Sequence, residues 1–335
     1  MTRPRLTVLL PVRNGAATLP AALASLAAQT FDDLRVVVLD DGSSDDSAQV
    51  ARSYAERLPG LEVRSLPPRG IARTLADALE RVDTPLVARM DADDVAHPRR
   101  LEAQVRLLDA EPDVVLCGTH VRIVARDGEP GAGMQRYARW IDGIRTPDDV
   151  RRERFVECPI VHPTFCFRRD PVVAHGGYRA GEFAEDHDLV LRLAEAGLAM
   201  ANVDAPLLDW TDGPTRLSRS HPAYSWHAFL RLKARYLARH VGARPVIVWG
   251  TGRVGRFLSR ELLGHGVAIE AFLDIAEVKW GRRVRDRPVH APEWVAGPRR
   301  ELIVGAVGTL GARALIRETL TARGLREPLD FVMAA

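Results

Sequence analysis

The chain has 335 residues, 46% hydrophobic and 27% charged, which exceeds the usual size of one compact domain and leads to an expectation of two. Its 47 basic and 44 acidic residues leave a net charge of +3, and the basic ones are nearly all arginine, lysine standing only at 233 and 279. No aromatic-studded basic module accompanies that bias, so nucleic acid is not an expected partner. Cys117, Cys158 and Cys166 are odd in number and lack CxxC spacing, so neither a disulfide framework nor a zinc site is indicated.

The first residues contain an apolar run of only five, Val8 to Val12, too short for a signal sequence. No stretch approaches the roughly 18 apolar residues of a membrane helix. A cytoplasmic protein is expected, touching the inner face of a membrane at most peripherally.

Leu6 to Leu10 reads as a buried strand ended by Pro11, and Thr18 to Ala28 as a helix with Thr18 at its N-cap. Leu34 to Leu39 is the next strand, running into Asp40-Asp41-Gly42-Ser43-Ser44-Asp45, whose carboxylates and hydroxyls suit a helix cap at Ser47. A strand near 61–65, a helix over 71–81 and a strand over 85–90 follow, the last stopping at Asp91-Ala92-Asp93-Asp94. This alternation predicts an α/β fold with a mostly parallel sheet. Residues 127–154 read as a loop or short-helix region on the substrate side, 160–167 as renewed apolar order, and 184–196 and 225–240 as helices. A boundary near 241–244 separates two domains, 1–240 and 244–335.

Ligands of open parallel sheets bind beyond the carboxyl ends of the strands. Three loops meet that condition here: Pro11-Val12-Arg13-Asn14, Asp40 to Ser44, and Asp91 to Asp94. Carboxylates one residue apart at a strand end, Asp91 and Asp93, suit a hard divalent cation that neutralises a departing pyrophosphate. The competing role for Asp93 and Asp94 is to cap a helix starting near His97-Pro98.

With these motifs in order, residues 6 to about 220 resemble the inverting family-2 glycosyltransferases of the GT-A fold. Pro11 to Asn14 resembles the opening loop, Asp40 to Asp45 the nucleoside loop, and Met90 to Asp94 with Pro98-Arg99-Arg100-Leu101 the metal segment. His162-Pro163-Thr164, Gly176-Gly177-Tyr178-Arg179 and Glu185-Asp186-His187-Asp188-Leu189 with Arg192 resemble the acceptor half. The resemblance implies a nucleotide-sugar donor held by Pro11, Arg13, Asp41, Arg73 and Asp91, with Asp41 on the base and Asp91 on the ribose or a metal water. It also implies Mn2+ or Mg2+ on Asp93 and Asp91, and Asp186 as the general base; the alternative for Asp186 is a helix cap. The implied acceptor is a saccharide or glycolipid of the cell envelope. Arg13 stands where the family commonly has an aromatic residue, which leaves uridine, thymidine and guanosine donors open. His162, His187 and His221 read as structural, with a reach of His221 to the diphosphate or metal as the alternative, and Trp210 and Trp226 read as core.

In the second domain Gly250-Thr251-Gly252-Arg253-Val254-Gly255 lies between a strand and a helix, with Asp274 ending the next strand. Gly250, Gly252, Gly255 and Asp274 therefore form a candidate dinucleotide site for NAD(P) or another nucleotide in a small Rossmann-like domain. The alternative is a tight turn without a ligand. An NAD-dependent sugar-nucleotide oxidoreductase centred here, or an inactive sugar-nucleotide-binding module, are the rival functions.

Overall fold

A computed structural model describes residues 3–126, 128–213 and 216–335; Asp127, where the substrate-side region begins, lies outside the described residues. The chain divides into two compact units. The first comprises residues 1–150, 159–181 and 185–220, the second 151–158, 182–184 and 221–335.

The first unit holds an eight-stranded sheet. Its strands are β1 (Leu6–Val12), β2 (Leu34–Asp40), β3 (Glu62–Ser65), β4 (Leu86–Arg89), β5 (Val95–Ala96), β6 (Val114–Ala125), β7 (Cys166–Arg168) and β8 (Ala199–Asp212), in the order β3-β2-β1-β4-β7-β6-β8-β5. All seven residues of β1 are buried, as expected for a strand covered on both faces. The chain steps outward from β1 through β2 to β3, then returns to the other side of β1 as β4, both flanking strands being parallel to it. Loops leaving β1 and β4 at such a reversal diverge, and the crevice between them is where ligands bind.

Beyond β4 the sheet turns antiparallel at β7, and β6 runs parallel to β8 through 11 residues of β6, with register slips at Val114/Leu116 and on either side of His120. These two strands, 12 and 14 residues long, are absent from the sequence-based reading. The region after Asp127 forms two helices, Ala132–Ile141 and Pro147–Glu153.

The second unit holds β9 (Val246–Trp249), β10 (Ile269–Leu273), β11 (Arg283–Val284), β12 (Arg287–His290), β13 (Leu302–Gly305) and β14 (Phe331–Met333), in the order β11-β12-β10-β9-β13-β14. Every pairing is parallel except the β11–β12 hairpin. The unit begins before the expected boundary at 241–244, because the helix Trp226–Val241 packs here rather than with the preceding chain. Its Lys233, only 5% exposed, donates from Nζ to the carbonyls of Val156 (2.9 Å) and Ala334 (3.0 Å). Glu153 likewise pairs with Arg317 (2.8 Å), which also binds Glu327 (2.8 Å). Among the described residues no helix is long and apolar enough to cross a membrane.

Candidate active site

The loops after β1 and β2 are laced together. Asn14 adopts a left-handed backbone (φ 53°), donates from its N–H to Ser43 Oγ (2.9 Å) and accepts Ser44 N–H on Oδ1 (2.8 Å). Gly15 and Ala16 donate from their N–H groups to Ser47 Oγ (2.9 Å) and Asp45 Oδ2 (3.0 Å). Asx residues tolerate αL and bond local backbone readily, which is why an Asn and an Asp/Ser-rich turn face each other here. Pro11 is buried within β1, while Arg13 and Arg73 are exposed.

Asp41 is 5% exposed, and its carboxylate accepts Arg69 N–H, Gly70 N–H and the Thr74 hydroxyl, each at 2.9 Å. Those donors open the helix Ile71–Arg81 that carries Arg73, so Asp41 fixes that helix start to the end of β2.

At the end of β4 three carboxylates converge. Oxygens of Asp91, Asp93 and Asp94 lie within 4.8 Å of one another. The capping alternative does not hold, because β5 intervenes and the next helix starts only at Arg100, with Arg99 at its N-cap. Instead, Asp94 is buried (1% exposed), its Oδ1 accepts Thr211 N–H (2.8 Å), and its Oδ2 has no hydrogen-bond partner among the described residues. Burial, then the charge of Asp91, then that of Asp93 push Asp94 well above the usual carboxylate range. Asp93 is also raised, by burial and then Asp91, against the pull of Arg216 and Arg126, the latter 3.6 Å from its Oδ2. Crowded carboxylates with one buried oxygen unpaired form a donor set of hard oxygens that a divalent cation fits. Asp94 is a member that the two-residue spacing did not single out.

Arg89, the last residue of β4, is 2% exposed and reaches Asp91 Oδ1 at 2.5 Å. Burial pulls its pKa down, but the Asp91 charge outweighs that and the net shift is upward. Arg100, 0% exposed, holds the backbone behind it, donating from Nη2 to the carbonyls of Arg89 (2.5 Å) and Pro163 (2.7 Å). Burial lowers its pKa to about 10. Arg100 stood in the metal segment by resemblance, whereas Arg89 was not legible as a site residue, since it ends an ordinary apolar strand.

Asp186 is the second residue of the helix Glu185–Glu195 and accepts His187 N–H on Oδ1 (2.7 Å). The buried Glu185 beside it lies 3.5 Å from His162 Nδ1, whose Nε2 is 3.1 Å from the Tyr178 hydroxyl. Burial, and then the nearby Arg89, hold the His162 pKa well below its usual value, so the ring is neutral. Burial raises Tyr178. Arg192 pairs with Asp188 (2.9 Å) and donates to the Gly177 carbonyl (2.8 Å), joining the Gly176-Gly177-Tyr178 turn to the helix. His162 is thereby tied to Tyr178 and lies beside Glu185. His221 accepts Ala223 N–H on Nδ1 (3.3 Å).

Trp210 and Trp226 are both half-exposed rather than core. Trp210 stacks under Arg216 (4.2 Å) and against Tyr137 (5.7 Å). Trp226 packs on Phe257 (5.2 Å) under Arg253 (4.4 Å).

In the second unit two of the three glycines answer to packing. A Cβ on Gly255 would lie 1.9 Å from the Gly250 carbonyl oxygen. One on Gly250 (φ 125°) would lie 2.7 Å from Val307 Cγ2, whereas Gly252 faces open space. The Asp274 carboxylate accepts from the Thr251 N–H (3.2 Å) and hydroxyl, from Ala276 N–H (3.0 Å) and from Lys279 Nζ (2.8 Å). Burial raises its pKa, but the bonds to Lys279 and Thr251 outweigh it and hold the group ionised below its usual range.

The model of the family "Glycosyl transferase family 2" matches residues 7–176, just over half of the sequence. The chain is 31% identical over 191 residues to the amylovoran biosynthesis glycosyltransferase AmsE of Erwinia amylovora, covering 57% of this chain and 69% of that one. It is 27% identical over 175 residues to the O-antigen biosynthesis glycosyltransferase WbnJ of Escherichia coli, covering 50% of this chain and 63% of that one. Among solved structures it resembles S. aureus TarS 1–349 in complex with UDP-GlcNAc, with a TM-score of 0.57 and 18% identity over 77% of this chain and 71% of that one. The complex of TarS 1–349 with UDP gives a TM-score of 0.55 at 19% identity, over 78% and 71% of the two chains. These likenesses identify the fold as GT-A, and the sequence matches establish that the chain belongs to glycosyltransferase family 2.

Proposed function

We propose that the chain transfers a glycosyl residue from a nucleoside diphosphate sugar to a hydroxyl of a saccharide or glycolipid acceptor, with inversion, during assembly of a cell-envelope polysaccharide. The observation that carries this is the Asp91, Asp93 and Asp94 cluster at the end of β4, in the crevice where the β1 and β4 loops part. The names of AmsE and WbnJ support the polysaccharide context, and the UDP and UDP-GlcNAc complexes of TarS support a uridine diphosphate donor.

In this reading Asp91 and Asp93, with Asp94 behind them, hold Mn2+ or Mg2+, which when bound supplies positive charge against the departing pyrophosphate. Arg89 holds the Asp91 carboxylate in place. Arg13 stacks its guanidinium on the base and Arg73 reaches the donor from the helix start that Asp41 fixes, with Asp41 itself closing the far side of the nucleoside pocket. Asp186 takes the proton of the acceptor hydroxyl as that oxygen bonds to the anomeric carbon. The bond from that carbon to the diphosphate oxygen breaks on the opposite side, which inverts the centre.

The oxidoreductase alternative is weaker. Asp274, the residue it needs for ribose, already accepts from Thr251, Ala276 and Lys279. An Asp186→Asn enzyme tests the reading: donor binding should persist while transfer falls, and normal turnover would remove Asp186 from the chemistry.

A further inference from the structure

The charges of the chain are divided unevenly. Residues 221–335 carry 19 Lys and Arg against 10 Asp and Glu, whereas the preceding 220 carry 28 against 34. The large apolar side chains most open to solvent lie in the same stretch: Leu310 is 87% exposed, Val278 69% and Ile275 66%. These three share one edge. Since β10 and β13 both run parallel to β9, the loops that follow them, containing Ile275, Val278 and Leu310, leave the sheet on its carboxyl side.

Basic side chains border that edge. Trp280, 38% exposed, is anchored by its indole N–H on the Asp274 carbonyl (2.7 Å), and Arg282, Arg283, Arg285 and Arg287 follow it, all exposed. Among the described residues none of these four arginines is ion-paired with a carboxylate, although Glu277 and Asp286 lie in the same segment. Arg285 donates to the Arg256 carbonyl (3.1 Å) in the first turn of the helix Arg253–Gly264, which itself starts at the carboxyl edge. Arg282 stands nearest the aliphatic tips, since its carbonyl accepts Val289 N–H and Val289 pairs with Phe272 near the end of β10, while the Arg285-Asp286 turn lies toward the start of that strand.

Protruding aliphatics, a tryptophan whose N–H is already satisfied, and unpaired arginines match an anionic lipid surface, where apolar tips enter the acyl boundary and guanidinium groups meet phosphates. A second copy of the chain fits less well, since a two-fold pairing of this face would oppose like charges. We propose that this edge of the C-terminal unit docks the protein on a membrane surface rich in anionic phospholipid. The proposal uses no residue of the transfer site, so its failure would leave the transferase reading untouched.

The test is co-sedimentation of the full chain with vesicles of phosphatidylcholine alone and with added phosphatidylglycerol, at low and high salt. Binding should require the anionic lipid and weaken with salt. The variant Ile275→Ser/Val278→Ser/Leu310→Ser, and separately Arg282→Glu/Arg283→Glu, should each bind at least about tenfold less, with unchanged thermal midpoint and unchanged manganese-dependent stabilisation by UDP. Equal vesicle binding by both variants, or none by the parent chain, would overturn the proposal. So would a dimer that the serine variant dissociates, or binding to a DNA or RNA oligomer that the arginine variant abolishes in place of vesicle binding.

Discussion

Nη1 of Arg89 lies 2.5 Å from Oδ1 of Asp91, and that guanidinium is 2% exposed while the Asp91 side chain is 27% exposed. A buried cation thus sits against one of three crowded carboxylates. It balances part of their mutual repulsion and leaves the outward oxygens for a ligand. Removing it strands a carboxylate in a partly dry site. Arg89→Met should cost about 3–5 kcal/mol in urea unfolding, the usual penalty for breaking a buried pair, and should weaken donor binding. Paired with Asp91→Asn, much of the loss in stability should be recovered. An additive double variant would mean that the two residues act independently.

The acidic cluster should be indispensable to transfer but not to folding. Asp93→Ala should lower transfer by at least about 10²-fold, and chelation of divalent cations should do the same to the parent enzyme. Its thermal midpoint should be unchanged or raised, because a carboxylate crowded by Asp91 is removed. Asp94→Ala should differ, losing stability as well, since Asp94 also holds the Thr211 N–H that joins the β4 loop to β8. Activity that survives chelation would exclude a metal from the reaction.

Asp186 should act on the rate and not on donor affinity. Asp186→Asn keeps an acceptor for His187 N–H but cannot take a proton, so a fall of about 10²–10⁴-fold in kcat with little change in donor Kd is expected. Single-turnover kinetics separates the two quantities. A change confined to donor Kd would reassign Asp186 to binding.

β1, β2 and β4 were legible because they are largely apolar runs bounded by turn residues, β3 only from its place in the alternation, and the helix over 71–81 from its periodicity. The β6–β8 pair was not. β8 reads Ala-Met-Ala-Asn-Val-Asp-Ala-Pro-Leu-Leu-Asp-Trp-Thr-Asp, with Asn202, Asp204, Pro206 and Asp209 interrupting any alternation, and its register slips against β6 would blur it further. In the site, spacing and position exposed Asp91 and Asp93. Arg126, Arg216 and Thr211 meet them only through folding across a long separation, which no local pattern carries. Asp41 and Asp274 stood out because acids after strands suit ribose and base, yet backbone and hydroxyl donors within the protein satisfy that same chemistry.

The glycine-rich turn of the second unit gives a contrast between packing and ligand. Gly255→Ala forces a Cβ against the Gly250 carbonyl and should destabilise by at least about 2 kcal/mol, while Gly252→Ala, with open space around it, should stay within about 0.5 kcal/mol. Chemical denaturation followed by tryptophan fluorescence measures both. Equal effects would mean the turn is not packed as described.

Acid should loosen the second unit through His240. Burial, then Arg154 and Arg244, lower its pKa to about 4 from 6.5, and Arg154 Nη2 lies 3.3 Å from its Nδ1. The neutral ring is favoured in the folded state, so unfolding takes up a proton between those values. Stability is full above pH 6.5 and falls as pH drops toward 4. The slope should stay below the one-proton limit of about 1.4 kcal/mol per pH unit, because the ring is incompletely buried. His240→Gln should flatten this part of the unfolding profile between pH 7 and 4.5; an unchanged profile would place the sensitivity elsewhere.

The most direct measurement is a thermal-shift panel of UDP, GDP, TDP, CMP and NAD on the intact chain and on Asp93→Ala, each with and without manganese. Stabilisation of the parent by one nucleoside diphosphate, dependent on manganese and absent from Asp93→Ala, is the predicted result, with UDP the expected nucleotide. Stabilisation by NAD alone, indifferent to metal and retained by Asp93→Ala, would contradict a donor site at the end of β4.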